Sequence, residues 1–175
     1  MQSNKLVCFI LLVVVAATVT YASPLSHTSR SSSNDTIAAE LEKMKNFTTL
    51  LTLANIANLT STLEDPSLAV TLFAPTNAGI SSTLKAVNIS ESAVVKNSTL
   101  VKMILEYHIV PQPLKTSNFS ALNSFKTLEG SNVTVTKNST GVFVNGFEII
   151  KKNIKADKSI IQVIDGLLIP PGIVV

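Results

Sequence analysis

The apolar residues of this chain change their spacing once, and that change limits the possible folds more than any other feature. Up to Tyr107 they recur mainly at helical intervals: Ile37, Leu41 and Met44 make one stripe, and Phe47, Leu50, Leu51, Ala54 and Ala57 a second. Beyond Asn123 the apolar runs become short, β-branched and aromatic, at 125–128, 132–136, 142–144, 147–152 and 160–164. Turn residues separate them at Glu129-Gly130-Ser131, at 137–141 and at Asn145-Gly146, the last being the strongest local hairpin signal. Helices first and strands second predict an α+β fold, with N-terminal helices packed on a C-terminal antiparallel strand meander over one shared core. No internal repeat is present.

Local signals mark the boundaries. Asp35 or Thr36 can N-cap the first helix, and Asn58 stands where asparagine takes the left-handed conformation that ends the second. The chain turns at Glu64-Asp65-Pro66. A short strand at 70–73 closes at Pro75, and Thr76 is placed to cap a helix reaching about Lys85. Ser98 or Thr99 is expected to cap a further helix with Leu100, Met103, Ile104 and Tyr107 on one face. Pro111 biases Val110 away from helix and ends it.

Residues 1–22 are expected to be a secretory signal peptide: Lys5, an uncharged apolar run, then small residues up to Ala22. That run holds about fourteen apolar residues, short of the ~20 that a spanning helix needs. Residues 23–34 are serine-rich and aperiodic, a disordered polar tail, and residues 35–172 form the domain. With 46% hydrophobic and 14% charged residues, the chain as a whole is not a disordered one. Its single cysteine, Cys8, leaves with the signal peptide, which excludes thiol chemistry and disulfides from the mature protein. The net charge of +3 falls to +2 without Lys5, too little for the basic stripe that nucleic acid requires. Asp165, Pro170 and Pro171 interrupt the final apolar run, so no lipid-anchor signal is read there.

Asn-x-Ser/Thr occurs eight times, at Asn34, Asn46, Asn58, Asn88, Asn97, Asn118, Asn132 and Asn138. Fourteen asparagines, with 20 serines and 18 threonines in 175 residues, give about three such triplets by chance. The excess points to N-glycosylation, to a secreted, extracellular location and to a solvent-facing position for each occupied asparagine. Attached sugars would supply much of the polar exterior that so few charges leave wanting.

Three segments then resemble one known family. Thr71-Leu72-Phe73-Ala74-Pro75-Thr76-Asn77 is similar to the first signature of the fasciclin (FAS1) domain, and Tyr107-His108 to its central Tyr-His pair. Val163-Ile164-Asp165-Gly166-Leu167-Leu168-Ile169-Pro170 resembles its closing strand. They occur in the family's order across the whole mature domain. Two positions depart from the pattern. Gln162 stands where many members have histidine, which places a ligand role for that position in doubt, and Gly79-Ile80 replaces a small-then-aromatic pair. The resemblance implies a FAS1-type fold and adhesion in extracellular matrix or cell wall, through an extracellular protein or polysaccharide partner. In animal matrix relatives the Tyr-His region is associated with integrin-mediated adhesion.

The candidate binding residues are Tyr107, His108, Asp165, Lys151, Lys152, Lys155 and Lys158. Tyr107 and His108 lie at the end of an apolar stripe, which suits a core ring and a buried imidazole as well as it suits recognition. Asp165, in an otherwise apolar run, is expected to accept bonds from nearby backbone amides. The four lysines either protect an outer strand from pairing or form a landing site for acidic polysaccharide or an anionic membrane. No metal-ligand spacing, phosphate loop or nucleophile elbow is found, so no cofactor, metal or catalysis is expected. Two alternatives stay open: a soluble binder of a small apolar or sugar ligand, and a hydrolase.

Overall fold

The computed structural model describes residues 35–173. Three helices come first: α1 (Ile37–Lys43), α2 (Thr48–Ile56) and the single turn α3 (Thr60–Leu63). The strand β1 (Thr71–Pro75) follows, then α4 (Asn77–Ala86), α5 (Glu91–Val95) and α6 (Ser98–Tyr107). Six strands complete the chain: β2 (Ile109–Val110), β3 (Leu122–Lys126), β4 (Asn132–Lys137), β5 (Val142–Val144), β6 (Phe147–Ala156) and β7 (Ser159–Ile164). Together with β1 they form one sheet in the order β2-β1-β7-β6-β5-β4-β3.

The local signals act as chemistry dictates. The Thr36 hydroxyl accepts from the Ala39 amide and starts α1, and the Thr76 hydroxyl accepts from the Gly79 amide and starts α4. Asn58 takes φ +56° after α2, where Leu59 N–H reaches Ala54 C=O and Asn58 N–H reaches Asn55 C=O. That is a Schellman closure, and Asn88 repeats it after α4 with φ +56°. Asn145 at φ +47° and Gly146 at φ +91° make the tight turn that joins β5 to β6.

Four expectations require correction. The cap of α6 is Asn97, whose Oδ1 accepts from the Leu100 amide, not Ser98 or Thr99. The face of α6 that is buried carries Val101, Ile104, Leu105 and Tyr107, while Met103 is exposed and Leu100 only half-buried, so the buried stripe is centred differently from the one read from sequence. The helices α3 and α5 were not foreseen, being too short to show a period.

The fourth correction concerns the core. It is not one cluster but two, and β1 and β7 separate them. These two strands pair in parallel, Thr71 with Ile160 through Pro75 with Ile164, and every residue of both is buried. A sheet covered on both faces reads as a continuous apolar run. On one face Leu72, Ala74, Ile161 and Val163 pack against α1, α2, α4 and α6 through Leu41, Leu50, Ile80 and Ile104. On the other, Phe73 and Ile164 meet Tyr107, Leu114, Phe119 and the meander valines Val133, Val135, Val142 and Val144. The helices cover one side of the central strands, and the meander folds over the other.

Candidate functional site

The first motif organises the junction of helix and sheet. Beyond Thr76, the Asn77 side chain reaches across to α2: its Oδ1 accepts from the Thr49 amide at 3.0 Å and its Nδ2 donates to the Thr48 hydroxyl at 2.8 Å. The helix α2 has no capping side chain of its own, so α4 supplies one. Gly79 then lies against the closing segment: a Cβ there would stand 2.5 Å from the Asp165 carbonyl oxygen. Gly166 is pressed on its other side by the Phe147 ring, which a Cβ would meet at 2.0 Å. The Asp165-Gly166 backbone is thus threaded between α4 and the start of β6.

Tyr107 and His108 end α6 behind that segment, and both are buried. The Tyr107 hydroxyl donates to the Asn132 carbonyl at 3.0 Å and accepts from Asn145 Nδ2 at 2.9 Å. Asn145 Oδ1 accepts from the Thr134 amide at 2.8 Å, so the tyrosine fixes the β5–β6 turn to β4. His108 Nδ1 lies 2.7 Å from the Ile104 carbonyl, and Nε2 accepts from the Leu168 amide at 3.0 Å. This pairing requires the neutral ring with its proton on Nδ1. Burial lowers the pKa of His108 from 6.5 to about 4, while the bond to Ile104 opposes the shift.

These contacts frame a groove of about 540 Å³, within the usual range for small-molecule sites. Ser82, Thr83, Ala86 and Val87 of α4 form one wall, Asn145 and Phe147 a second, and Asp165 with Leu167, Leu168 and Ile169 the floor and rim. All three recognised motifs therefore converge on it. The first starts the helix that walls it, the Tyr-His pair holds Asn145 and Leu168 from behind, and the closing motif lines it.

Asp165 is exposed rather than enclosed in its apolar run, because it follows β7 at the surface. Its Oδ1 accepts from the Glu148 amide at 3.0 Å, and its own N–H donates to the Glu148 carbonyl at 3.2 Å. Gln162, by contrast, is fully buried. Its Oε1 accepts from the Asn153 amide, and its Nε2 donates to the Leu114 carbonyl and to Asn153 Oδ1. The amide at this position is a satisfied core group that joins β7, β6 and the loop after β2.

The lysines do not form one patch, and β6 is not an outer strand throughout. It pairs with β7 along its length and with β5 at Phe147 and Glu148. Two register shifts, between Ile149 and Lys151 and between Lys151 and Ile154, twist the rest, with Asn153 at φ +57°. Such bulges blunt an open edge without help from charge. Lys151 Nζ sits 3.5 Å from Met44 Sδ, near the start of α2. Lys155 and Lys158 instead border a depression with Lys115 and Asp157. Lys152 is exposed.

Seven of the sequon asparagines fall among the described residues, and all seven are exposed: Asn46, Asn58, Asn88, Asn97, Asn118, Asn132 and Asn138. Asn34 lies outside the described residues, as do the segments 1–22 and 23–34 expected to be a signal peptide and a polar tail. No cluster of three potential metal ligands occurs among the described residues, and no helix there is long and apolar enough to cross a membrane.

The groove, its trans-capping Asn77 and the roles of Asn145 and Phe147 escaped the sequence reading. Asn145-Gly146 signalled a turn and nothing more, because the partners of that turn are contributed by distant elements. Comparison with known proteins agrees with the motifs. The fasciclin domain family model matches residues 45–170. The chain is 35% identical over 115 residues to the immunogenic protein MPB70 of Mycobacterium bovis, covering 66% of this chain and 56% of that protein. It is 28% identical over 138 residues to the transforming growth factor-beta-induced protein ig-h3 of Sus scrofa, 78% of this chain and 20% of that one. The chain thus spans about half the length of the mycobacterial relative and a fifth of the ig-h3 protein. Among solved structures, a FAS1 domain pair of the insect cell adhesion molecule fasciclin I aligns with TM-score 0.45 at 16% identity, over 77% of this chain and 45% of that one. With a family model spanning three signatures in order on an α+β fold, the chain belongs to the fasciclin domain family.

Proposed function

We propose that this chain is a secreted, N-glycosylated fasciclin domain that acts in extracellular adhesion, holding a matrix or cell-wall protein or polysaccharide by surface contact rather than by catalysis. The exposure of all seven described sequon asparagines carries this reading. Sugar transfer needs each of them accessible, and in a core-forming sequence so many accessible triplets call for an explanation. Four of the seven have a second cause: Asn58 and Asn88 close helices, Asn97 opens one, and the Asn138 Oδ1 accepts from the Thr140 and Gly141 amides in the β4–β5 turn, so capping and turn chemistry enrich asparagine there. Asn46, Asn118 and Asn132 have no such role, and they argue for glycosylation independently. The non-catalytic part rests on His108, the one described imidazole, whose two ring nitrogens are both engaged inside the core.

The test is expression of the full chain in a secreting eukaryotic cell. The expected product is found in the medium, begins at Ser23, loses several sugar chains to N-glycanase and makes coated beads adhere to extracellular-matrix or cell-wall preparations. Recovery of Met1 from a cell-retained product, or an unglycosylated secreted protein that coats beads without adhesion, overturns the reading.

A further inference from the structure

We propose that the groove between α4, the β5–β6 turn and the closing segment binds a small organic cation, an apolar ring or chain ending in a primary ammonium. Shape and charge point the same way. The body of the groove is apolar: Val87 and Ile169 are left partly open to solvent outside both core clusters, and Phe147, also partly open, packs on the edge of the second cluster. Asp165 is the one charged residue that lines it. The Glu148 amide holds Asp165 Oδ1, and the reciprocal main-chain bond fixes the same residue from its other side, which leaves the second carboxylate oxygen without a hydrogen-bond partner among the described residues. An ammonium supplies donors and opposite charge to that oxygen while its apolar part covers Val87 and Phe147.

The remaining polar groups argue against a neutral sugar. Asn145 is committed at both ends, to Tyr107 and Thr134, and Thr83 accepts from the Leu167 amide. That leaves the exposed Ser82 hydroxyl and the Asp165 carboxylate, too few partners for a ring bearing many hydroxyls, and each unpaired one would weaken binding. The site is also built in advance. Asn145 and Leu168 are held by Tyr107 and His108, Gly79 brings α4 against the Asp165 backbone, and Gly166 lets the Phe147 ring lie against the closing segment. A wall fixed before binding loses little order when the ligand arrives. The inference concerns a ligand site and holds whether or not the chain is glycosylated or adhesive.

Three probes of one shape test it: phenethylamine, neutral 2-phenylethanol and anionic 3-phenylpropionate, titrated into the secreted full chain and followed by amide NMR shifts. Phenethylamine is expected to bind tighter than the alcohol by up to about fivefold, the acid weakest, as one partly exposed ion pair allows. The shifts should map to Val87, Phe147, Asp165 and Ile169, and the preference should fade with added salt. Asp165→Asn keeps an acceptor for the Glu148 amide and should equalise amine and alcohol. Ala86→Phe, at the exposed rim, should abolish binding of all three. Equal binding of amine and acid, shifts mapping elsewhere, a cation preference that survives Asp165→Asn, or a disaccharide binding there in place of the amine would each overturn the proposal.

Discussion

His108 donates to one main-chain carbonyl and accepts from one main-chain amide, and a second ring proton would point at the Leu168 N–H. Burial holds its pKa near 4, against 6.5 when exposed. Between those values the unfolded chain takes up a proton that the folded chain refuses, so stability falls as pH drops through the window and is unaffected by this residue above it. The full difference is worth about 3 kcal/mol. Chemical denaturation of wild type and His108→Gln between pH 4 and pH 7 should show the variant less stable at neutral pH but with a shallower loss on acidification. Equal slopes would mean that the imidazole does not sense acid. The same two bonds explain why sequence left its role open: the stripe of α6 shows that His108 is near the core, but neither partner is specified by spacing.

Elements are held to each other by single polar groups at close approaches. Gly79 has no room for a side chain because the obstacle is backbone, the Asp165 carbonyl at 2.5 Å. Gly79→Ala should cost about 2–4 kcal/mol through displacement of α4 or the closing segment, read as a drop in Tm. The nearest obstacle to Gly166→Ala is a side chain, the partly exposed Phe147 ring, rather than main chain, so its cost should be smaller. A larger loss at Gly166 than at Gly79 would contradict this ordering. Gln162→Leu leaves the Asn153 amide and the Leu114 carbonyl without a partner, at about 1–3 kcal/mol each if no water reaches them. An unchanged Tm in that variant would show that the bulge of β6 does not depend on the buried amide. Elements governed by neighbouring residues were legible: the Thr76 cap, the Asn58 closure and the Asn145-Gly146 turn each need only a few adjacent positions. The β6 bulges and the trans-cap from Asn77 were not, because each requires a partner on another element, outside any local window.

At the scale of the whole molecule, the α+β class and the strand order of the meander follow from periodicity and turns, whereas the parallel pairing of β1 with β7 does not. A parallel contact needs no turn and leaves no local mark. It also places the groove, since α4 follows β1 and the closing segment follows β7. If sugars occupy the exposed asparagines, their enzymatic removal should lower solubility while the far-ultraviolet circular dichroism stays unchanged. A loss of helix and strand signal would show that sugars support the fold itself. The position of β1 also has a consequence in time. Val70 and Ser159, which bond at that junction, are 89 positions apart, so a chain growing from its N-terminus holds its central strand unpaired on that side until β7 has been made. Long-range closure of this kind is slow. Until then the free flank of β1 stays open to any other extended segment, so the time taken to make β7 is also the time during which mispairing can compete.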